Sequence, residues 1–255
     1  MVSSGMALLV TEALVLHMSD YLESSRILRV ATREAGIQSV VARGARNSRK
    51  RFGSAVDLFA VGQAQIDVRA GRDLHTLMAF EVSRSQPELA ADLARFSAAA
   101  ALAECALRVM HEEAAPVVYD GLIEAFVVLG RCSGPKTVST TIGALWRLVR
   151  DAGFAPALEL CAECHTPIAD DADAHFSHAA GGVLCADCAA KAPSRRRLPA
   201  SARRAIINWM EEEDTELSHN EAKAHQRLLR EFIAQHVTSG KPLKAFANWE
   251  ANTLE

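Results

Sequence analysis

Apolar and polar residues alternate with period two through the first 82 positions, then switch to a period near 3.6. In QAQIDVRA, Ala64, Ile66 and Val68 share one side, opposite Gln63, Gln65, Asp67 and Arg69. In DLHTLMAFEV, Leu74, Thr76, Met78, Phe80 and Val82 share one side, opposite Asp73, His75 and Glu81. Such alternation predicts half-buried strands. Ala70-Gly71-Arg72 between them predicts a short hairpin turn. Upstream, RILRVAT and IQSVVAR flank REAG, a second hairpin signal, and a strand at about 13–18 makes five. Five short strands in so few residues predict a small barrel, which leaves no edge open to stray pairing.

At SQPE the period changes. Ser85 and Glu88 have the spacing of a capping box, and Pro87 suits a first helical turn. Leu89, Leu93, Phe96, Ala100, Ala103, Leu107 and Met110 then predict one buried helix face. Further helices are expected at 116–130, 136–152, near 200–213 and at 219–237. Val138, Ile142, Leu145 and Val149 point inward on the second of these, and Ser218 with Glu221 caps the last. Phe246 and Trp249 are expected to dock back on the body. The fold class is therefore α+β. Expected segments are a barrel over 1–82, helices over 83–157, a cysteine segment over 158–192 and further helices over 193–255.

The chain has 255 residues, enough for one large domain or two to three small ones. Its net charge of −3 excludes a bulk basic protein that coats nucleic acid, but not a local basic patch. No run approaches the ~18 apolar residues of a membrane span, and the first residues do not read as a signal peptide. A cytoplasmic location is expected.

Four of the six cysteines form two C-x-x-C pairs, Cys161/Cys164 and Cys185/Cys188. Cys105 and Cys132 lie in helical patterns and are expected to be buried. Read alone, Cys161-Ala-Glu-Cys164-His165 is a c-type haem attachment motif. That chemistry needs export and a second axial ligand. Four thiolates in two tight pairs instead predict one tetrahedral, structural Zn²⁺ with a closed shell. His165, His175 and His178 are alternative ligands. The acidic loop carrying Asp170, Asp171 and Asp173 is a poor phosphate binder. No P-loop, H-E-x-x-H or nucleophile elbow is present, so no enzyme is expected.

Between Arg26 and Arg51 lie Arg26, Arg29, Arg33, Arg43, Arg46, Arg49, Lys50 and Arg51, opposed only by Glu34. The densest part, RGARNSRKR, leaves a strand of the expected barrel, and such loops bind single strands in barrel folds. The stretch TREAGIQSVVARGARNSRKRFG resembles the N-terminal signature of the RecO family of recombination mediators. CAEC and HFSHAAGGVLCADC are similar to that family's zinc knuckle.

The resemblance implies an OB barrel, a helical domain and an inserted Cys₄ zinc knuckle. It implies a mediator of DNA repair that binds single- and double-stranded DNA and anneals complementary strands. The implied partners are RecR, the C-terminal tail of single-stranded DNA-binding protein and, indirectly, RecA. No membrane is involved. DNA contacts fall on Arg26, Arg29, Arg43, Arg46, Arg49, Lys50 and Arg51, and the ion on Cys161, Cys164, Cys185 and Cys188. Few aromatics, Tyr21, Phe52, Phe59 and Phe80, occur in the barrel segment, and Phe59 and Phe80 are assigned to strands and core. Binding should therefore be mainly ionic. Arg195, Arg196, Arg197, Arg203 and Arg204 could extend the DNA track, meet RecR or form a solvated helix start. Trp146 and Arg147 are candidates for the tail pocket. The alternative function is a protein adaptor with incidental DNA affinity.

Overall fold

A computed structural model describes residues 6–45, 56–238 and 240–253. By internal contacts the chain forms two compact units, Met1–Asp92 with Ala106–Arg131, and Leu93–Cys105 with Cys132–Glu255.

The first unit is built on five strands: Met6–Tyr21 (β1), Ser25–Thr32 (β2), Gly36–Ala42 (β3), Val61–Arg69 (β4) and His75–Arg84 (β5). They close in the order β1-β2-β3-β5-β4. β3 and β5 run parallel, and the other neighbours run antiparallel. β1 is far longer than its expected span because its first half pairs with β4 and its second with β2. A register shift between Val15 and His17 bends it between the two tasks. Ala13, Val15, Leu28, Val30, Val40, Ala42, Ala64, Ile66, Leu77 and Phe80 fill the interior.

The expected face of β5 does not survive intact. Gln65 pairs with Ala79 and Ile66 with Leu77, so Met78 is an extra residue. This bulge flips the alternation. His75 and Leu77 are buried before it, Phe80 after it, while Leu74 and Met78 are exposed. Phe59 is buried, but in a turn with φ +66° rather than in a strand.

The outer face of β2 and β3 is partly covered by the chain itself. Ile37 donates its N–H to His111 O at 2.7 Å. A Cβ on Gly36 would lie 2.0 Å from that same carbonyl, and φ there is +62°, so only glycine fits. Leu14, Ala31 and Ile37 point away from the barrel interior yet are buried. In the helix Pro116–Arg131, Phe126 packs on Phe59 with ring centroids 5.2 Å apart.

The expected Ser85–Glu88 cap does not form. Pro87–Ala90 is a 3₁₀ turn without a side-chain cap, and the helix begins at Leu93. Two non-helical residues between them reset the phase, which leaves Leu93 and Phe96 exposed. The buried face runs through Ala98, Leu102, Cys105 and Val109. With the elements so far, Leu93–Val109 is α1 and Pro116–Arg131 is α2.

The second unit continues with Pro135–Asp151 (α3), Ala174–Ser177 (β6), Gly182–Leu184 (β7), Ala186–Lys191 (α4) and Arg196–Leu198 (β8). Ala200–Met210 (α5), His219–His236 (α6) and Lys244–Asn252 (α7) complete it. The short strands form a sheet in the order β7-β6-β8. Trp146, Phe232 and Phe176 make an aromatic spine with centroids 5.4 and 6.0 Å apart. Gly143 lets α3 approach α5 closely, because a Cβ there would sit 2.7 Å from the Trp209 ring. Ser218 and Glu221 form the expected capping box at α6. Phe246 and Trp249 are buried, as are Cys105 and Cys132. No helix of the described residues is long and apolar enough to cross a membrane.

Candidate metal centre and nucleic-acid interface

The first cysteine pair sits at the tip of a small hairpin. Cys161 N–H bonds Thr166 O and Ile168 N–H bonds Glu159 O, both at 2.8 Å. His165 turns the tip with φ +59° and donates its N–H to Cys161 O. Ala162 N–H reaches Val183 O, which ties the hairpin to β7. The second pair is placed by a helix start, since Cys185 is the N-cap of α4. Gly181, at φ +74°, turns the β6–β7 hairpin that leads into this pair.

The four sulfurs of Cys161, Cys164, Cys185 and Cys188 all lie within 4.8 Å of one another. Cys164 and Cys185 Sγ are 3.7 Å apart, far beyond a disulfide's ~2.05 Å. A tetrahedron with metal–sulfur bonds of ~2.3 Å has edges of about 3.8 Å. The cluster could therefore hold one metal ion. Burial resists ionisation of Cys161, but N–H groups of Cys164, Cys185 and Glu163 outweigh it and hold that thiol at about 6. Thiol contacts with Cys185 and then Cys164 push Cys188 up to about 12. Four sulfurs this close cannot all ionise without a cation among them. His165 and His175 contribute no atom to the cluster. His178 is engaged elsewhere, 3.2 Å from Leu228 O. The haem reading finds no support, because both sulfurs it requires belong to the four-sulfur group.

The second arginine group is largely occupied within this unit. Arg203 is buried, and its guanidinium donates to Leu158 O at 3.0 Å, Ile168 O at 3.4 Å and to Ala169 O. It clamps the base of the first cysteine hairpin onto α5. Arg197 pairs with Asp173, Arg204 with Asp170 at 3.3 Å, and Arg196 with Glu231 at 2.8 Å. Asp170 and Asp173 of the loop are thus partners of these arginines. Sequence reading missed this role because a charge run does not reveal which charges fold back on each other. Trp146 is fully buried and Arg147 donates to Trp209 O at 3.4 Å, so this pair does not line an open groove. A cavity of about 420 Å³ instead opens beside the start of α3, lined by Pro135, Thr137, Val138, Ala222 and Trp249. The buried Thr137 hydroxyl there has no hydrogen-bond partner.

The first basic group divides. Arg26 shares the inward side of β2 with Leu28 and Val30, at the barrel mouth. Its guanidinium contacts Met18 Sδ at 3.2 Å, and its nearest carboxylate is Asp20 at 3.5 Å. Arg29 lies on the opposite side. Burial, then Arg108, lowers its proton affinity, and Glu112 partly offsets this. Arg33 makes a paired bond to Asp120, both contacts at 2.9 Å. Arg43 is exposed one residue beyond the end of β3. Arg46, Arg49, Lys50 and Arg51 lie outside the described residues.

Comparison with known proteins settles the family. Residues 6–86 match the model of the Recombination protein O N terminal, and residues 90–245 that of the C terminal. The chain belongs to the RecO family. It is similar to the DNA repair protein RecO of Anaeromyxobacter sp. (strain K), 35% identical over 190 residues, 74% of this chain and 72% of that one. The RecO of Syntrophotalea carbinolica is 35% identical over 179 residues, 70% and 68% of the two chains. That of Nocardioides sp. is 31% identical over 193 residues, 75% of each. The closed five-stranded barrel is the OB fold of the RecO N-terminal region.

Proposed function

We propose that this RecO-family protein is a non-catalytic mediator of DNA repair. It binds single- and double-stranded DNA, anneals complementary strands and, with RecR, helps load RecA onto DNA coated by single-stranded DNA-binding protein. It works in the cytoplasm at the nucleoid. What carries this reading is the continuity of the RecO match through both the barrel and the helical part.

Arg43 and the run Arg46, Arg49, Lys50 and Arg51 supply the phosphate contacts, with Arg26 and Arg29 as lesser contributors because both are half-buried. The cavity beside α3 receives the tail of single-stranded DNA-binding protein. The four cysteines hold one structural zinc ion, whose chemistry is to fix the two knuckles and nothing more. No open ligand position is required for that.

The test is the salt dependence of binding to oligo-dT, followed by fluorescence anisotropy. Neutralising about five phosphates gives log K a slope of roughly −3.5 against log salt on single strands. Replacing Arg43, Arg46, Arg49, Lys50 and Arg51 together by Ala removes most of that slope. An unchanged slope would exclude this placement of the site. The adaptor reading predicts partner capture in nuclease-treated extract with no direct DNA binding at all.

A further inference from the structure

The register of the barrel brings Tyr21 and Arg43 to one end of the barrel. Tyr21 is opposite Ser25 on β2. Arg26 is opposite Ala42, so Ser25 faces the position of Arg43. Alternation along β1 and β2 puts Tyr21 and Ser25 on the side away from the core residues Leu28 and Val30. Arg43 follows Ala42 in the turn that Ala45 N–H closes on Ala42 O at the end of β3, and it is exposed. Tyr21 and the start of that turn therefore lie at one end of the barrel, two strand spacings or about 10 Å apart.

Tyr21 and Arg43 are both exposed at this end. Farther along β2 and β3, residues 108–113 overlie Arg29, Gly36 and Ile37. The usual strand 2–3 surface of an OB fold is thus unusable over that part. Tyr21 is 41% exposed, whereas Phe59 and Phe80 are 3% and 2% exposed. Among the described residues of the barrel, it is the one Phe, Tyr or Trp ring presented to solvent. The turn that follows is held under strain, because Leu22 adopts φ +53° and is 74% exposed. Ser25, small and buried, is the residue that Tyr21 faces across the strands. The ring offers a flat apolar platform, and the guanidinium lies within reach of the phosphates flanking a base placed on it.

We propose that Tyr21 stacks against an unpaired nucleobase while Arg43 holds an adjacent phosphate, so that this corner selects single-stranded over duplex DNA. The inference rests on the DNA-binding reading above and adds its aromatic contact. Stacking requires a free base face, which a duplex does not offer, whereas phosphate contacts serve both forms.

The experiment compares Tyr21→Ala, Tyr21→Phe and Tyr21→Trp on oligo-dT and on a duplex at one fixed salt concentration. Tyr21→Ala should weaken oligo-dT binding by about 5- to 100-fold and duplex binding by less than about twofold. Tyr21→Phe should bind as the parent does. Tyr21→Trp provides a reporter independent of affinity, since Trp146, Trp209 and Trp249 are all buried. The emission of the introduced indole should be quenched by oligo-dT. Unchanged oligo-dT binding by Tyr21→Ala overturns the proposal. So does an equal loss on both DNA forms, or an indole signal in Tyr21→Trp that stays unquenched at saturation. The two readings fail separately. A selective loss with quenching upholds the Tyr21 contact, and a cation variant that keeps its salt slope removes the Arg43 contact. A flattened slope without a Tyr21 effect upholds only the ionic site. A parent protein that binds no oligo-dT sinks both.

Discussion

At the residue scale, the second unit contains a histidine whose burial makes stability depend on pH. His225 is almost fully buried, its ring edge-on to Trp209 at 5.0 Å, and its Nδ1 has no hydrogen-bond partner. Burial lowers its affinity for protons to about 4, with only Glu221 pulling the other way. The unfolded chain, with an ordinary histidine near 6.5, therefore binds the proton more readily. Stability from this site is complete above 6.5 and is lost as the pH falls toward 4. At pH 5 the loss is about 2 kcal/mol. Thermal melts at pH 7 and pH 5 should differ less for His225→Phe than for the parent. An identical pH response in both would remove this assignment. Nothing in the sequence singled out His225, because its burial arises from partners far along the chain. The clustered cysteines were legible for the opposite reason: their spacing states their geometry. Arg203 was visible only as one of several arginines, and its hairpin-clamping role needed the fold.

At the element scale, α7 shows how a distant side chain can start a helix. The carboxylate of Glu104 on α1 accepts the N–H groups of Lys244, Ala245 and Phe246 at 2.9, 2.8 and 3.1 Å. These are donors that a helix start otherwise leaves without partners. The negative charge also suits the positive end of the helix dipole. Glu104→Ala should cost about 2 kcal/mol in urea unfolding and speed hydrogen exchange of the first α7 amides. Unaltered exchange there would show that burial of Phe246 and Trp249 alone holds the helix. Period reading found the long elements well, including α2, α3 and α6, the last with its expected capping box. It failed where a single residue breaks phase. Met78 inverts half of β5, and Ala91–Asp92 shift the face of α1. A bulge adds a residue without adding a turn signal, so alternation alone cannot report it.

At the scale of the whole molecule, the arginines close to the cysteine segment serve its architecture, whereas Arg43 at the barrel end is exposed. Net charge alone did not show this separation. It leads to a prediction about metal removal. Structural zinc contributes roughly 10 kcal/mol or more of folding energy in small sites. Cys161→Ser should lose stoichiometric zinc by elemental analysis and make residues 158–192 susceptible to limited proteolysis, while the salt slope on oligo-dT stays unchanged. A changed slope with intact barrel structure would move the ion into the DNA site.

On the proposed DNA-binding function, the cover that residues 108–113 place over β2 and β3 would also limit how deeply a polynucleotide is held. A groove that swallowed several nucleotides would hide the hydrogen-bonding rims by which bases recognise each other. A ligand gripped only at one corner, by a ring face and a charge, keeps most of those rims turned outward. Under the proposed function, a second, matching molecule would then begin to zip onto the first before either is released.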